Sequence, residues 1–347
     1  MKKIGILFGI ENSFPGALVE HINNRNIDGI QAEFVLTGAV QMQGLEKAPH
    51  YSVIVDRISH EIPFYRSYLK HAALNGTVVL NNPFWASADD KFFNYSLASK
   101  LGVAVPQTVM LPHKLPPGDT TERSMRNLEY PLDWETVFAH VGEHGFLKPI
   151  DGRGWSHVHE VHNRDEFFRA YDESGSRCMV YQKAIHFTEY FRCYVVGKKR
   201  VHIMAYDPRR PHAERYAQDA PACGKKLLKR MEQDALKLCR GLGYEMNTVE
   251  FAVENEIPYA IDFMNPVPDA DPLSVGQTNF EWFIKEVADL VIARTKGAPH
   301  KPELHWAAML GEDAATASHA GKPTVKSKPA ADAIKAKKKE TPTKTKK

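Results

Sequence analysis

The chain has little cysteine: Cys178, Cys193, Cys223 and Cys239 are scattered over 347 residues and form no CxxC pair. This leaves no cysteine zinc site and no disulfide framework, so a reducing, cytoplasmic setting is expected. No apolar run reaches the roughly 18–20 residues of a membrane helix, so no membrane partner is expected. The short run Ile4–Gly9 follows Met1-Lys2-Lys3 but leads into Glu11 and Asn12 without a small-residue cleavage site, so it reads as a buried first strand and not a signal peptide. There is no GxSxG turn and no Cys–His signature to support nucleophilic catalysis. Two histidine groups, His140 with His144 and His157 with His159 and His162, have metal-capable spacing but no HExxH pattern. They read as a helix end and a solvated strand face.

A net positive charge is also missing from the body of the chain. Residues 322–347 hold ten lysines against Asp332 and Glu340, a net of +8, which leaves −5 for residues 1–321 of a chain whose total is +3. The basic character therefore belongs to a tail and does not imply a specific nucleic-acid-binding fold. Lysines without interleaved aromatics attach to polyanions only weakly and in a salt-sensitive way. The tail from 310 has too little apolar surface to offset its ordering entropy and is expected to be disordered.

The remainder is ordinary globular sequence, with 43% apolar and 25% charged residues. Over residues 1–105, short apolar strands (4–8, 32–36, 52–55, 77–80) alternate with helices (16–23, 65–74), which predicts a parallel sheet covered by helices. A helix from Asp90-Lys91 ends near Gly102. Residues 112–135, rich in Pro, Gly, Thr, Arg and Asn, read as one long surface loop. Strands then follow at 145–149, 158–161, 179–185, 191–196, 200–206, 247–253 and 258–264, with helices at 165–171, 227–242 and 280–294. The expected division is an α/β domain over 1–105, an α+β region of two lobes over 106–309, and the tail 310–347.

Chemistry concentrates in a few segments. Lys148 ends an apolar strand and runs into Gly152-Arg153-Gly154, where an ammonium and backbone N–H groups can meet phosphate oxygens. The alternative is a surface lysine beside a tight hairpin. Lys91, at a helix start, is a second phosphate candidate; the alternative there is a solvated helix N-terminus. Glu250 and Asp262 interrupt apolar strands. A three-residue turn over Glu254–Glu256 would place both on one face, where two carboxylates repel unless a cation joins them. Magnesium takes such a pair, and Asn265 adds a neutral oxygen. The alternative is two solvent-facing acids, and a two-residue turn would put them on opposite faces. Arg192, Arg209, Arg210 and Arg215 can hold anionic groups bidentately.

Taken in order, these segments resemble the ATP-grasp superfamily, in particular ligases related to ribosomal-protein glutamate ligase and glutathione synthetase, over roughly residues 1–295. The carrying motifs are Asn82-Pro83, Asp90-Lys91, Leu101–Pro106, Phe146–Pro149 with Gly152 and Gly154, Val180–Ile185, Arg192 with Gly197, and Glu250 with Asp262 and Asn265. The resemblance implies a pre-ATP-grasp domain followed by a two-lobed ATP-grasp domain. It implies ATP, with Lys91, Lys148, Gly152 and Gly154 at phosphate, and Gln182, Lys183 and Ala184 lining adenine. It places Glu189 at ribose, and Glu250, Asp262 and Asn265 on Mg2+, with Mn2+ as a substitute. The implied activity is a carboxylate–amine (or thiol) ligase forming an acyl phosphate and releasing ADP and phosphate, acting on small-molecule substrates such as an amino acid or short peptide. Arg192 and Arg215 are the candidates for holding the phosphoryl group and the carboxylate. The N-terminal strand end Val55-Asp56-Arg57 is expected to contribute substrate contacts. An ATP-binding regulator without turnover, a polyanion-binding scaffold and a homodimer stay open. The family spacing is acid-x-Asn, whereas Asp262-x-x-Asn265 carries one residue more and requires a bulge or a strand end.

Overall fold

The computed structural model describes residues 1–38, 40, 51–74, 76–84, 90–151, 156–211, 214–216 and 223–297. Gly152, Gly154 and the tail expected to be disordered lie outside the described residues. Among the described residues, no helix is long and apolar enough to cross a membrane.

Four short apolar segments, β1 (Lys2–Leu7), β2 (Ile30–Phe34), β3 (Tyr51–Asp56) and β4 (Val78–Leu80), form a parallel sheet in the order β2-β1-β3-β4. Strand alternation divides their side chains. Ile4, Ile6, Val53, Val55 and Leu80 pack with α1 (Phe14–Asn24) and α8 (Gln277–Lys296). Leu7, Ile54 and Val79 pack with Leu69 and Ala72 of α2 (Pro63–Leu74). Burial on both faces of β1, β3 and β4 explains why these three read as nearly continuous apolar runs, whereas the edge strand β2 leaves Gln31 and Phe34 exposed.

The second sheet is antiparallel, in the order β10-β9-β11-β12, built from β9 (Glu189–Val196), β10 (Arg200–Ala205), β11 (Met246–Glu254) and β12 (Ile257–Asn265). One face receives α6 (Lys225–Leu242), whose Met231, Ala235, Leu238 and Cys239 are buried. The other face shares α8 with the parallel sheet. Phe283 of α8 lies 5.3 Å from the Phe14 ring on one side and 4.5 Å from the Tyr194 ring on the other. Asn81, just past β4, adds a polar link between the two sheets. Its amide donates to Met246 O (2.7 Å) and Pro266 O (3.1 Å) and accepts from the N–H groups of Glu245 (2.7 Å) and Met246 (2.8 Å). Every hydrogen-bonding capacity of this buried side chain is therefore used.

The third sheet, β5-β8-β6-β7, has its own core. Its strands are β5 (Thr108–Leu111), β6 (Gly145–Pro149), β7 (His159–Val161) and β8 (Met179–Lys183), all antiparallel. Leu147, Met179 and Tyr181 pack with Phe138 of α4 (Trp134–Val141) and Phe167 of α5 (Arg164–Glu173). One loop over 112–135 was the expectation; instead it contains a 3-10 turn at Glu122–Met125, and α4 opens at Trp134. The Asp133 side chain caps α4 by accepting from Thr136 N–H. The preceding Pro- and Gly-rich composition masks the point where the helical spacing of Trp134, Val137, Phe138 and Val141 begins. The four-residue β5 is too short to show a period.

Candidate functional site

The lysine side is built on the third sheet. Lys148 lies on β6 between neighbours β7 and β8, only 9% exposed. Its Nζ donates to Gln182 Oε1 at 2.6 Å, and Gln182 Nε2 donates to Thr108 Oγ1 at 3.0 Å, so the lysine is held by a buried chain of polar groups. Burial lowers its pKa from the ordinary 10.5 to about 8; attraction from Asp262 opposes this, Lys91 pushes further down, and Glu250 again opposes. Groups from four elements thus act on one ammonium. Lys91 opens α3 (Lys91–Lys100), its N–H donates to Ile150 O at 3.0 Å, and the Asp90 carboxylate caps the helix through Phe92 and Phe93 N–H. The helix start is therefore docked on the segment that follows β6.

The carboxylate side is built on the second sheet, and its register corrects the expected turn. β11 and β12 are joined by the two residues Asn255 and Glu256, both with positive φ (52° and 60°), and not by three. Glu254 pairs with Ile257 and Phe251 with Ala260, so an unbroken ladder would place Glu250 opposite Ile261. A register shift at that point pairs it with Asp262 instead. A second shift pairs Thr248 with Asn265 and absorbs the additional residue of Asp262-x-x-Asn265. The first of these shifts brings Glu250 and Asp262 onto one face, which the three-residue turn was expected to do.

Glu250 also faces Arg192 on β9. Arg192 Nε and Nη2 donate to Glu250 Oε1 at 2.8 and 2.5 Å, Nη1 donates to Tyr216 Oη at 2.8 Å, and the guanidinium lies 4.3 Å from the Tyr206 ring centroid. Tyr190 Oη donates to Glu250 Oε2 at 2.5 Å. Burial, then the adjacent carboxylate, holds that phenol far above its ordinary range, so it remains a donor. Asp262 is exposed, while the nearby Thr248 Oγ1 is buried with no hydrogen-bond partner. Asn265 N–H donates to Asn247 Oδ1 at 2.9 Å.

A cavity of about 720 Å³ opens between these two sides. Lys91, Lys148, Gln182 and Lys183 line it from one direction, and Arg192, Glu250, Asp262 and Asn265 from the other. Glu11, Arg57 and His60, at the end of the parallel sheet, complete the wall. Arg57 is buried and bonded to the Glu11 carboxylate and to Pro268 O. Glu189 and Arg215 line a smaller adjoining cavity of about 200 Å³ with Arg209 and Arg210; Phe187 and Tyr190 border both spaces. Ala184 is buried, its N–H donating to His144 O (3.1 Å), and Lys183 N–H donates to Gln107 O (2.9 Å). These two backbone donors are therefore already used within the fold.

No family model and no curated protein matches the sequence. Solved structures are similar in fold. The chain is similar to a D-alanine–D-alanine ligase from Bacillus anthracis determined with ATP, at 17% identity and TM-score 0.58, over 85% of this chain and 97% of that one. It is similar to a RimK-domain ATP-grasp protein from Sphaerobacter thermophilus at 18% identity and TM-score 0.59, over 84% and 99% of the two chains. VanG D-Ala:D-Ser ligase from Enterococcus faecalis aligns at 13% identity and TM-score 0.61, over 85% and 99%. The chain has the ATP-grasp fold.

Within this ATP-grasp fold, the two antiparallel sheets carry opposite charge toward the shared cavity. Some groups of the site were not anticipated from the sequence. Tyr190 stands two residues from Arg192 on one strand, so its position on the same face was legible by alternation. Tyr206 and Tyr216 meet Arg192 through an isolated bridge between them, which carries no local sequence signal. Thr248 is likewise two residues from Glu250 on β11 and was readable in the same way.

Proposed function

We propose that the protein is an ATP-dependent ligase that joins a carboxylate to an amine (or thiol) through an acyl phosphate. The supporting observation is the gathering of Lys91, Lys148, Glu250, Asp262 and Asn265, from three distant stretches of chain, around one cavity in an ATP-grasp fold. The donor set on β11 and β12 fits Mg2+ or Mn2+. It is entirely oxygen, it pairs two carboxylates across a strand junction, and it includes the orphaned hydroxyl of Thr248. A bound Mg2+ would neutralise phosphate charge as it develops.

In this reading Lys91 and Lys148 hold phosphate oxygens by charge-assisted hydrogen bonds, and the dry surroundings of Lys148 strengthen them. Gln182 orients the Lys148 ammonium. Arg192 is bonded to Glu250 and Tyr216, so its role here is to position that carboxylate, while Arg215 and Glu189 serve the adjoining cavity. The substrate carboxylate oxygen attacks the γ-phosphorus, and the bond to the ADP oxygen breaks. The amine then attacks the acyl carbon, phosphate departs with the bonding pair, and the amine proton passes to solvent. An amino acid or a short peptide suits a cavity of this size with both charge signs on its walls.

The test is ATP turnover with Mg2+ and pooled amino acids, peptides and polyamines, resolving ADP and phosphate from AMP and pyrophosphate. Acceptor-dependent ADP and phosphate, lost in Lys148→Ala and Asp262→Ala, is the expected result. AMP formation would exclude the acyl-phosphate route. The second reading, a nucleotide-binding regulator, draws on the Arg192–Glu250 ion pair, which already neutralises one metal-ligand candidate. ATP binding without turnover in any pool would favour it.

A further inference from the structure

The end of the third sheet gathers a donor set of a different kind. Gly145 pairs with Val161 and Phe146 with Glu160, so continuing the register by one residue sets His144 opposite His162. Glu160 and His162 are two apart and fall on one face by alternation. The three ligand-capable atoms lie within 4.8 Å of one another. His144 Nε2 is 3.0 Å from Glu160 Oε1, and the His144 and His162 rings stack at 4.5 Å. A third imidazole stands beside them, with the His186 ring 5.1 Å from that of His144. His186 follows β8, and the Ala184 N–H bond to His144 O ties that segment to the start of β6.

We propose that His144, Glu160 and His162 bind a divalent transition ion of the zinc class, with His186 as the fourth ligand. Three imidazoles and one carboxylate suit Zn2+ and not the hard, all-oxygen coordination of magnesium. A tetrahedral zinc separates its donors by roughly 3.3 Å, so the three donors, now within 4.8 Å, must close slightly and the exposed His186 must turn toward them. The histidine spacings noted in the sequence do not reveal it, because the ligands come together through strand register. Three structural segments meet at the ion: the start of β6, the edge strand β7, and the segment after β8 that leads to Phe187. Phe146, two residues from His144, lines the large cavity, so the ion would stiffen one wall of the cavity from outside. None of these ligands belongs to the Glu250–Asp262 donor set, although His186 N–H donates to Glu254 Oε1 at 2.7 Å, and the site does not depend on the ligase reading.

The experiment is zinc binding to the full chain after chelator treatment, by calorimetry in excess Mg2+, with Co2+ absorption as a second readout. Expected are one saturable zinc per chain, a tetrahedral cobalt spectrum and no thiolate charge-transfer band. His144→Ala and His162→Ala should each weaken zinc by at least about tenfold, and Glu160→Gln likewise. Asp262→Asn should leave zinc affinity unchanged. Circular dichroism melts establish that each variant is folded. Absence of saturable zinc binding would overturn the proposal, as would binding insensitive to the histidine variants or abolished by Asp262→Asn. In those cases His144 and Glu160 form only a surface hydrogen bond.

Discussion

Replacing Lys148 with methionine isolates the energetic consequence of burying its ammonium. Burial holds that group at about 8, against 10.5 for an ordinary lysine, so keeping the proton at pH 7 costs the folded protein about 3 kcal/mol. Lys148→Met removes that cost and leaves Gln182 Oε1 without its donor, a loss of about 1–2 kcal/mol. The ligand-free variant should therefore be more stable than the wild type by about 1–2 kcal/mol at pH 7. The pH dependence fixes the cause. Between about 8 and 10.5 the unfolded chain holds a proton that the folded wild type has released, so wild-type stability rises with pH across that window. Below 8 the full cost stands. The advantage of the variant should accordingly be widest at neutral pH and shrink toward pH 10. Urea melts at pH 7 and at the alkaline end measure it, with an ATP analogue titrated into both proteins. Affinity for the analogue should fall by about 10- to 100-fold, the loss of one charge-assisted contact. A variant less stable than wild type at both pH values would refute the account of the buried ammonium. Unchanged analogue affinity would refute the phosphate role.

Arg192→Ala should cost about 3–5 kcal/mol in denaturant melts, because it strands the Glu250 carboxylate, whose side chain is 14% exposed, without its cation. An Arg192→Met, Glu250→Gln double variant should cost much less than the sum of its parts. Gly145→Ala places a Cβ 2.6 Å from Gln182 O and 2.6 Å from the Tyr181 ring, so β6 and β8 must separate; a loss of about 1–3 kcal/mol is expected in the same assay. Asp90→Ala removes the cap of α3 and should cost about 1 kcal/mol, together with weaker binding of the ATP analogue as Lys91 loses its fixed origin.

Most of the parallel sheet was legible because β1, β3 and β4 are buried on both faces, and the α6 pattern was legible because Met231, Ala235, Leu238 and Cys239 repeat at helical spacing. The lysine and carboxylate segments could be read because a charge that interrupts an apolar strand is conspicuous. Their mutual arrangement could not be read with the same ease. A ladder register depends on turn length and bulges together: the expected three-residue turn would set Glu250 opposite Ala260 with Asp262 two residues away on the same face, whereas the two-residue turn and one shift set Asp262 directly opposite Glu250. Partners brought together across more than a hundred residues, such as Tyr95 Oη on Ile261 O, leave no local periodicity at all.

Phe283 and Asn81 have a mechanical consequence. One ring wedged between Phe14 and Tyr194, and one amide spanning Met246 and Pro266, fasten the carboxylate strands to the parallel sheet with both apolar and polar bonds. The lysine-bearing sheet keeps its hydrophobic core to itself. The carboxylates of the cavity thus stand on strands braced by the parallel sheet, whereas Lys148 stands on a sheet braced by its own core.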